Sequence, residues 1–302
     1  MRKYVLFLTL LLLASCSGAK GPESAAPAQG QRLRFAVMPK ALEIPVFNYA
    51  KIGAERQAKE YGNVDILWNA PVTADQLKQK ELLESYITQR VDGIAISALN
   101  GDFLTETINK AVDAGIPVVT WDSDAPKSKR VAFYGVDDFA SGRIMGEETG
   151  RLLNGKGKVA IITSYGATNL QRRLDGIKED SVRCAELIAT GTKRYPDLAA
   201  WLSTGGWPIF TRNATTAIDP AKTKMISFDT IQPGLDLLRE GKVTVLIGQK
   251  YFGWGSEAVK LLYDLKHGKN PPATIIDSGV DVVTKENVED YAAKWKKMES
   301  GG

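Results

Sequence analysis

Few side chains in this sequence could carry out a reaction. Asp122 and Asp229 each follow a predicted strand, and a pair of carboxylates flanking one bond is what a glycoside-active enzyme uses, so this alternative stays open. The single histidine, His267, lies in the basic stretch Lys266–Lys269, which gives no support to a Ser-His-Asp triad or a multi-histidine metal site. The segment Gly155–Lys158 lacks the spacing of a phosphate-binding loop. We therefore favour a binding protein over an enzyme, and expect no catalytic residue, no metal and no cofactor.

Predicted strands alternate with predicted helices along the chain. Apolar runs predict strands at 35–38, 64–68, 91–97, 116–121, 158–163, 198–203, 225–228, 243–247, 274–277 and 280–283. Amphipathic stretches predict helices at 48–60, 73–90 with Thr73 as its cap, 103–114, 140–153, from 169 onward, 230–239, 256–266 and 285–297. This alternation predicts an α/β protein with two lobes, each a doubly wound parallel sheet. Open sheets of this kind bind ligands at the carboxyl ends of their strands, so the cleft between the lobes is the expected site.

The chain is expected to pass between the two lobes more than once. We predict that residues 32–136 and 250–276 form the first lobe, and that residues 137–249 and 277–302 form the second. The helical pattern from Asn169 to Thr192 would make a straight helix of ~36 Å, whereas the neighbouring strands are expected to be only ~17–20 Å long. Either the chain bends near Asp180 and Ser181, or the second lobe lacks one strand.

The first residues have the layout of a secretory signal. Arg2 and Lys3 precede the apolar run Tyr4–Leu13, which is shorter than the ~20 residues of a membrane-spanning helix. The tetrapeptide Leu13–Cys16 then resembles the bacterial lipobox, which is cut before its cysteine so that the sulfur can carry a lipid. We predict a signal peptide at 1–15, and a lipidated Cys16 with a flexible, Gly-, Ala-, Ser- and Pro-rich tether at 16–31.

The charge balance gives little support for nucleic-acid binding, and the cysteines give little support for a disulfide within the chain. The chain has 39 Lys and Arg against 35 Asp and Glu, and loss of Arg2 and Lys3 with the signal brings it closer to neutrality. This balance gives no reason to expect a nucleic-acid partner. With Cys16 lipidated, Cys184 has no disulfide partner within the chain and is predicted to be a small buried residue of a helix.

The order of elements and a series of local motifs resemble the type I periplasmic sugar-binding proteins of ABC importers, close to the ribose-binding group. Glu43–Phe47 stands where that family often has Asn-Pro-Phe-Phe, and Pro117–Asp124 ends the fourth strand in an aspartate. Gln171–Ile177 resembles an Arg-x-x-Gly-Phe helix start, and Ser227–Asp229 and Ile247–Gln249 match strand ends that carry Asp and Gln. Two departures are Ser123, where the family has Arg, and Thr204–Pro208, where it has an Asn-Asp pair.

The resemblance implies a set of sugar-binding side chains. Carboxylate, amide and guanidinium groups satisfy the hydroxyls on the rim of a sugar, and aromatic rings cover its faces. The expected ligand-binding residues are Phe47, Trp121, Asp122, Arg173, Trp207, Asp229 and Gln249. Tyr165 and Trp254 are further aromatic candidates. Asp122 and Arg173 are expected on opposite lobes and outside the hydrophobic core.

The resemblance also implies partners and a location. It predicts a monomeric receptor for a monosaccharide or related small molecule, held by lipid in the periplasm or on the outer face of the membrane and serving an ABC permease. One alternative is a receptor for a furanosyl autoinducer, which would share the fold. Regulators of the lactose-repressor type also share it, but here the lipobox and tether occupy the place of their helix-turn-helix.

Overall fold

A computed structural model describes residues 32–177 and 194–301 of the chain. The predicted signal, Cys16, the tether, Cys184 and the predicted bend near Asp180 lie outside the described residues. In the described part, no helix is long and apolar enough to cross a membrane.

The first lobe is built on a six-stranded sheet. Its strands are β1 (Leu33–Met38), β2 (Val64–Trp68), β3 (Gly93–Ile96), β4 (Val118–Trp121), β5 (Ala132–Gly135) and β10 (Ile275–Asp277), in the order β10-β5-β4-β3-β1-β2. All of its strand pairs are parallel. Its helices are α1 (Phe47–Tyr61), α2 (Gln76–Thr88), α3 (Gly101–Asp113) and α8 (Tyr251–Lys266), the last packed on α1, β3, β4 and β5.

The second lobe is built on a separate sheet. Its described strands are β6 (Lys158–Ile162), β7 (Leu198–Ser203), β8 (Lys224–Phe228), β9 (Val245–Gly248) and β11 (Asp281–Val283), in the order β11-β9-β8-β7-β6. Its helices are α4 (Asp138–Leu152), α5 (Thr168–Ile177), α6 (Trp207–Phe210), α7 (Gln232–Arg239) and α9 (Val288–Ser300), with a 3-10 turn at Arg212–Thr215.

The predicted α/β class with two sheet-based lobes is confirmed, and several element bounds and pairings are corrected. Strand β5 has no counterpart among the predicted strands. Strand β11 pairs antiparallel with β9, so the second sheet is not wholly parallel. Helix α2 starts after Asp75, not Thr73, because the Asp75 carboxylate accepts hydrogen bonds from the amides of Leu77 and Lys78 at 2.9 and 3.1 Å.

Helices α1 and α8 cross with almost no space between their backbones. A Cβ atom placed on Gly255 would lie 1.8 Å from the carbonyl oxygen of Ala50, and one on Gly53 would lie 2.0 Å from that of Phe252. Only glycine permits this approach. The crossing fixes the first turn of α8, which lies at the cleft and carries several of the site residues described below.

Candidate functional site

A cavity of about 380 Å³ lies between the two lobes, at the carboxyl ends of their strands. Six of the seven predicted site residues line it: Phe47, Asp122, Arg173, Trp207, Asp229 and Gln249. Asp122, Asp229 and Gln249 follow β4, β8 and β9 directly, which is why residues far apart in sequence meet here.

Trp121 does not line the cavity, in contrast to the prediction. Its ring is fully buried at the end of β4, a strand whose four residues are all buried. It contacts Phe47 edge to face at 5.5 Å and lies 6.2 Å from Trp68 and 6.0 Å from Trp254. Trp121 therefore supports the aromatic wall from behind.

The aromatic part of the cavity lining comes from both lobes. Phe47 and Trp254 belong to the first lobe, where their ring centroids are 6.0 Å apart, and Trp207 and Phe210 belong to the second. Tyr165 is 60% exposed and is not part of the lining. Aromatic rings in the wall of a cavity can cover the C–H faces of a small polyol.

On the first-lobe side, Asp122 is held in a buried ion pair. Its Oδ2 accepts a hydrogen bond from Ser97 Oγ at 2.6 Å and lies 2.9 Å from Lys40 Nζ. Asp122 is 4% exposed and Lys40 6%. Burial makes this pairing necessary, because an isolated buried carboxylate would lose its solvation without compensation.

Both cleft aspartates have left-handed backbones. The φ angle is 59° at Asp122 and 74° at Asp229, and each amide donates to a neighbouring strand, to Tyr134 O and Ile247 O respectively. Residues other than glycine adopt this region at a cost of about 1–3 kcal/mol, and they do so most often at functional sites. Asp122 directly follows β4 of the first lobe and Asp229 directly follows β8 of the second. The left-handed backbone is therefore found at the end of one strand in each lobe.

On the second-lobe side, Arg173 forms the centre of a buried network. Its Nε donates to Asp138 Oδ1 at 2.9 Å, its Nη1 to the carbonyl oxygen of Thr204 at 3.0 Å, and its Nη2 to Gln249 Oε1 at 2.9 Å. The guanidinium also stacks over the Phe228 ring, 4.0 Å from its centroid. These contacts hold the planar group in one orientation beside the cavity.

The network continues to Asp229. Its Oδ1 accepts hydrogen bonds from Gln249 Nε2 at 3.2 Å and from the Tyr251 hydroxyl at 2.9 Å. The same hydroxyl accepts from the amide of Thr230 at 3.2 Å. Since Tyr251 lies in the first turn of α8, this bond joins the first-lobe helix to a carboxylate of the second lobe.

Burial changes the acidity of the carboxyls around Arg173. It raises the pKa of Asp138 to about 7, and the positive charge of Arg173 opposes that rise only in part. Burial also raises the pKa of Asp229, again against the charge of Arg173. A weakly acidic Asp138 still accepts the Arg173 hydrogen bond, so the network persists when the proton is bound.

Direct hydrogen bonds join the two lobes across the cleft. Lys40 Nζ donates to Asn169 Oδ1 at 3.0 Å, which joins the loop after β1 to helix α5 of the opposite lobe. Nearby, Thr168 Oγ1 accepts from the amide of Gly101 at 3.0 Å, and the amide of Thr168 donates to the carbonyl oxygen of Leu99 at 3.3 Å. Asp122 and Arg173 are only 4% and 2% exposed, but both line the cavity and neither is part of the hydrophobic core, as expected.

Three residues of the site were missed by sequence reasoning, Lys40, Asp138 and Asn169, whereas Trp254 was among the further aromatic candidates. Lys40, Asn169 and Trp254 line the cavity, and Asp138 supports Arg173 from behind. Lys40 follows a strand as Asp122 does, and this position could have identified it. Asp138 directly precedes the helix predicted at 140–153, and only the fold shows its partner Arg173. In the described residues, no group of three or more His, Cys, Asp or Glu side chains could hold a metal ion.

Comparisons with known proteins find one matching family and several similar chains. Residues 35–181 match the family described as periplasmic binding protein domain. The chain is 24% identical to the D-ribose/D-allose-binding protein of Pseudomonas aeruginosa, over 92% of this chain and 97% of that protein.

Solved structures of sugar-binding proteins are also similar to this chain. GanP, a glucose-galactose binding protein from Geobacillus stearothermophilus, is 28% identical with a TM-score of 0.78, covering 85% of this chain and 99% of its own. A solute-binding protein from Burkholderia graminis in complex with D-arabinose is 29% identical with a TM-score of 0.78, covering 87% and 98%. Residues 35–181 thus match a periplasmic binding protein domain, and the chain as a whole is similar in sequence and fold to the type I periplasmic sugar-binding proteins of ABC transporters.

Proposed function

We propose that this protein captures one monosaccharide in the cavity between its lobes and delivers it to an ABC permease. The observation that carries the proposal is a cavity of about 380 Å³ with hydrogen-bonding side chains from both lobes and aromatic rings in its walls. Ligand cavities in proteins typically measure ~300–1,000 Å³, so a single small ligand suits this volume. The sugar ligands of the related proteins described above support the same class.

The cleft side chains are arranged for binding both ends of a polyol. We assign ligand contacts to Phe47, Asp122, Arg173, Trp207, Asp229 and Gln249. Asp122 and Lys40 already neutralise each other, and Arg173 is matched by the carboxyls of Asp138 and Asp229. This balance favours an uncharged ligand over an anion, because an added negative charge would lack its own counterion.

We propose no catalytic role for Asp122 and Asp229. A retaining or inverting glycosidase needs one carboxyl that gives its proton to the leaving group and a second that acts as nucleophile or base. Here Asp122 Oδ2 is engaged by Lys40 and Ser97, and Asp229 Oδ1 is engaged by Tyr251 and Gln249. These contacts orient the carboxylates as fixed hydrogen-bond acceptors.

We further propose that the receptor works outside the cytoplasm as a lipid-anchored monomer. The basic, apolar and small-residue layout of residues 1–15 and the lipobox-like Leu13–Cys16 support secretion and anchoring. The tether at 16–31 would let the two lobes reach a permease from the membrane surface.

A thermal-shift screen tests the proposed ligand class. D-ribose, D-arabinose, D-xylose, D-glucose and D-galactose are each added to the purified protein, with the L-enantiomers as matched controls. A sugar at a hundred times its dissociation constant stabilises the folded state by about 2.7 kcal/mol, which raises the melting temperature by several degrees. We expect at least one D-sugar to do so and its enantiomer to do less. If every D-sugar leaves the melting temperature unchanged, the proposed ligand class is wrong.

A further inference from the structure

The hydroxyl of Tyr251 is buried close to the sugar-sized cavity without being part of its wall. Tyr251 is 1% exposed and does not line this cavity. Its hydroxyl donates to Asp229 Oδ1 at 2.9 Å and accepts from the amide of Thr230 at 3.2 Å. A ligand in the cavity would meet Asp229 and not Tyr251, so an effect of this hydroxyl on binding must pass through the Asp229 carboxylate.

The two oxygens of Asp229 have different surroundings. Oδ1 accepts from Tyr251 and from Gln249 Nε2. No described residue donates to Oδ2, and this atom is not among the polar atoms that are both unpaired and closed to water. Oδ2 lies on the cavity side, since a Cβ on the lining residue Gly206 would be 2.5 Å from it. Oδ2 is therefore the Asp229 oxygen that a sugar hydroxyl can reach.

The packing around Tyr251 holds its hydroxyl in a fixed place. The ring contacts Trp254 edge to face at 4.9 Å and Trp295 edge to face at 5.3 Å between centroids. Tyr251 also begins α8, which is held against α1 by the close approach at Gly255. Because a ring packed in this way cannot follow a rotating carboxylate, its hydroxyl restrains the orientation of Asp229.

Gln249 restrains the same oxygen less firmly. Its Nε2 is 3.2 Å from Asp229 Oδ1, whereas the Tyr251 hydroxyl is 2.9 Å away. Its Oε1 accepts from Arg173, so one amide group has to serve two partners. Loss of the Tyr251 hydroxyl would leave Asp229 Oδ1 with the longer bond alone.

We propose that Tyr251 is a positioning residue for the sugar: its hydroxyl holds Oδ1 of Asp229 so that Oδ2 faces the cavity and accepts a hydrogen bond from a sugar hydroxyl. The inference rests on the proposed function, and it adds to the site a residue that does not itself contact the ligand. An acceptor oriented in advance raises affinity, because the free protein has already lost the freedom that binding would otherwise remove.

The same hydroxyl favours the ionised form of Asp229. Burial raises the pKa of Asp229, and the positive charge of Arg173 opposes this rise most. The hydrogen bonds from Tyr251 and Gln249 oppose it further, whereas the negative charge of Asp122 adds to it. Removal of the Tyr251 hydroxyl should therefore raise this pKa more, so that Asp229 takes up its proton at a higher pH than in the wild type.

Tyr291 provides a matched control. Its hydroxyl lies 2.7 Å from Thr230 Oγ1, and the residue does not line the cavity. Tyr251→Phe and Tyr291→Phe each remove one hydroxyl that is hydrogen-bonded to Thr230, but only the first removes a bond to Asp229. Neither tyrosine titrates near neutral pH, because burial raises the pKa of both hydroxyls.

The test is calorimetric titration of both variants with whichever of D-ribose, D-arabinose, D-xylose, D-glucose and D-galactose binds the wild type most tightly, with circular dichroism to show that they are folded. We expect Tyr251→Phe to lose about threefold to thirtyfold in affinity, which is less than a full hydrogen bond to a charged group because the free protein loses the bond too. Tyr291→Phe should stay within about twofold of the wild type.

Two outcomes of this titration would overturn the inference and leave the proposed function intact. One is an affinity of Tyr251→Phe within about twofold of the wild type, and the other is an equal loss in Tyr291→Phe. Failure of the wild type to bind any of the five sugars would overturn the inference and the proposed function together.

The pH dependence of the affinity separates positioning of Asp229 from a merely structural role. A sugar hydroxyl donates to the ionised carboxylate, so affinity should fall as the pH falls through the pKa of Asp229. Titrations between about pH 4 and pH 8 locate the midpoint of this fall. We expect the midpoint at a higher pH in Tyr251→Phe and at the wild-type pH in Tyr291→Phe. A weaker affinity with an unmoved midpoint would show that the hydroxyl acts through packing alone, which refutes the inference.

The other charged groups of the site are the same in all three proteins. Asp138 shares Arg173 with the network, and Lys40 pairs with Asp122 on the opposite side of the cavity. Their effects on the pH dependence are therefore common to the wild type and both variants, and the difference between the midpoints reports on Asp229.

Discussion

Asp138 couples the stability of the second lobe to pH. Burial raises its pKa to about 7 from an ordinary value of 3.8. The folded protein therefore holds this proton more tightly than the unfolded chain does. Between these two values, stability is lost as pH rises, and it is fully present below the lower one.

Replacing Asp138 by Asn should remove this dependence. The amide oxygen can still accept from Arg173 Nε, as the carboxyl does at 2.9 Å, but it does not titrate. Urea unfolding at a series of pH values measures the difference in free energy between the two proteins. We expect a small difference at pH 4 and a growing advantage for Asp138→Asn toward pH 7. Parallel curves over this range would show that Asp138 keeps an ordinary pKa.

Prediction at the level of single residues succeeded where a strand end could be recognised. Asp122, Asp229 and Gln249 follow strands, and parallel strands bring their carboxyl ends to one edge. Trp121 was misplaced because side chains alternate along a strand, and the sequence alone does not say which face meets the cleft. Asp138 and Lys40 were missed because their importance comes from partners 35 and 82 positions away.

Helix α8 depends on a glycine at its crossing with α1. Gly255→Ala would place a methyl group 1.8 Å from the Ala50 carbonyl oxygen, so the helices must separate. Overpacking of this kind typically costs about 1–3 kcal/mol. We expect a lower urea midpoint for Gly255→Ala.

Gly146→Ala in α4 is the matched control. A Cβ at Gly146 meets nothing within 4 Å, so the same substitution should be neutral or stabilise the helix by up to about 1 kcal/mol. Equal midpoints for the two variants would contradict the close crossing.

The same glycines explain why the start of α8 was predicted five residues late, at Ser256 instead of Tyr251. Gly253 and Gly255 weaken the helical pattern locally, and their presence is explained only by a second helix that the sequence does not place beside them. Strand β5 was missed although its four residues lie within the apolar run 131–136. Longer strands such as Leu198–Ser203 were predicted at their observed bounds.

At the scale of the whole molecule, the chain passes between sheets in three places. The crossings lie between β5 and α4, between β9 and α8, and between β10 and β11. We propose that they form a hinge and that the lobes divide near residues 136, 249 and 277. Bonds across this region, such as Lys250 Nζ to Asp281 Oδ2 at 2.6 Å, would persist while the cleft opens.

Lipidation at Cys16 would hold this two-lobed receptor on a membrane. Cys16→Ser removes the sulfur that carries the acyl chains, which together anchor a protein far more strongly than one chain does. We expect the variant to appear in the soluble fraction after cell breakage, with wild type in the membrane fraction. Cys184→Ser is the control and should stay with membranes. Intact-mass measurement of a wild-type protein without lipid on Cys16 would contradict the prediction.

The central claim is that a sugar is bound by side chains of both lobes. Asp122→Asn tests it with little change in shape, because Asn tolerates the left-handed backbone (φ 59°) that Asp122 adopts. Asp124→Asn is the control, since Asp124 binds Arg130 at 2.6 Å and does not line the cavity. Arg173→Ala is less suitable, because it removes the whole side chain and with it three hydrogen bonds within the second lobe.

Isothermal titration of these proteins with the tightest-binding sugar of the screen is the most direct measurement. Loss of one charged partner in a desolvated site costs about 2–5 kcal/mol, which is roughly a 30-fold to several thousand-fold loss of affinity. We expect this loss in Asp122→Asn and wild-type affinity in Asp124→Asn, with circular dichroism showing that both variants are folded. Binding by Asp122→Asn within a few-fold of wild type would contradict the assignment of the site to this cleft.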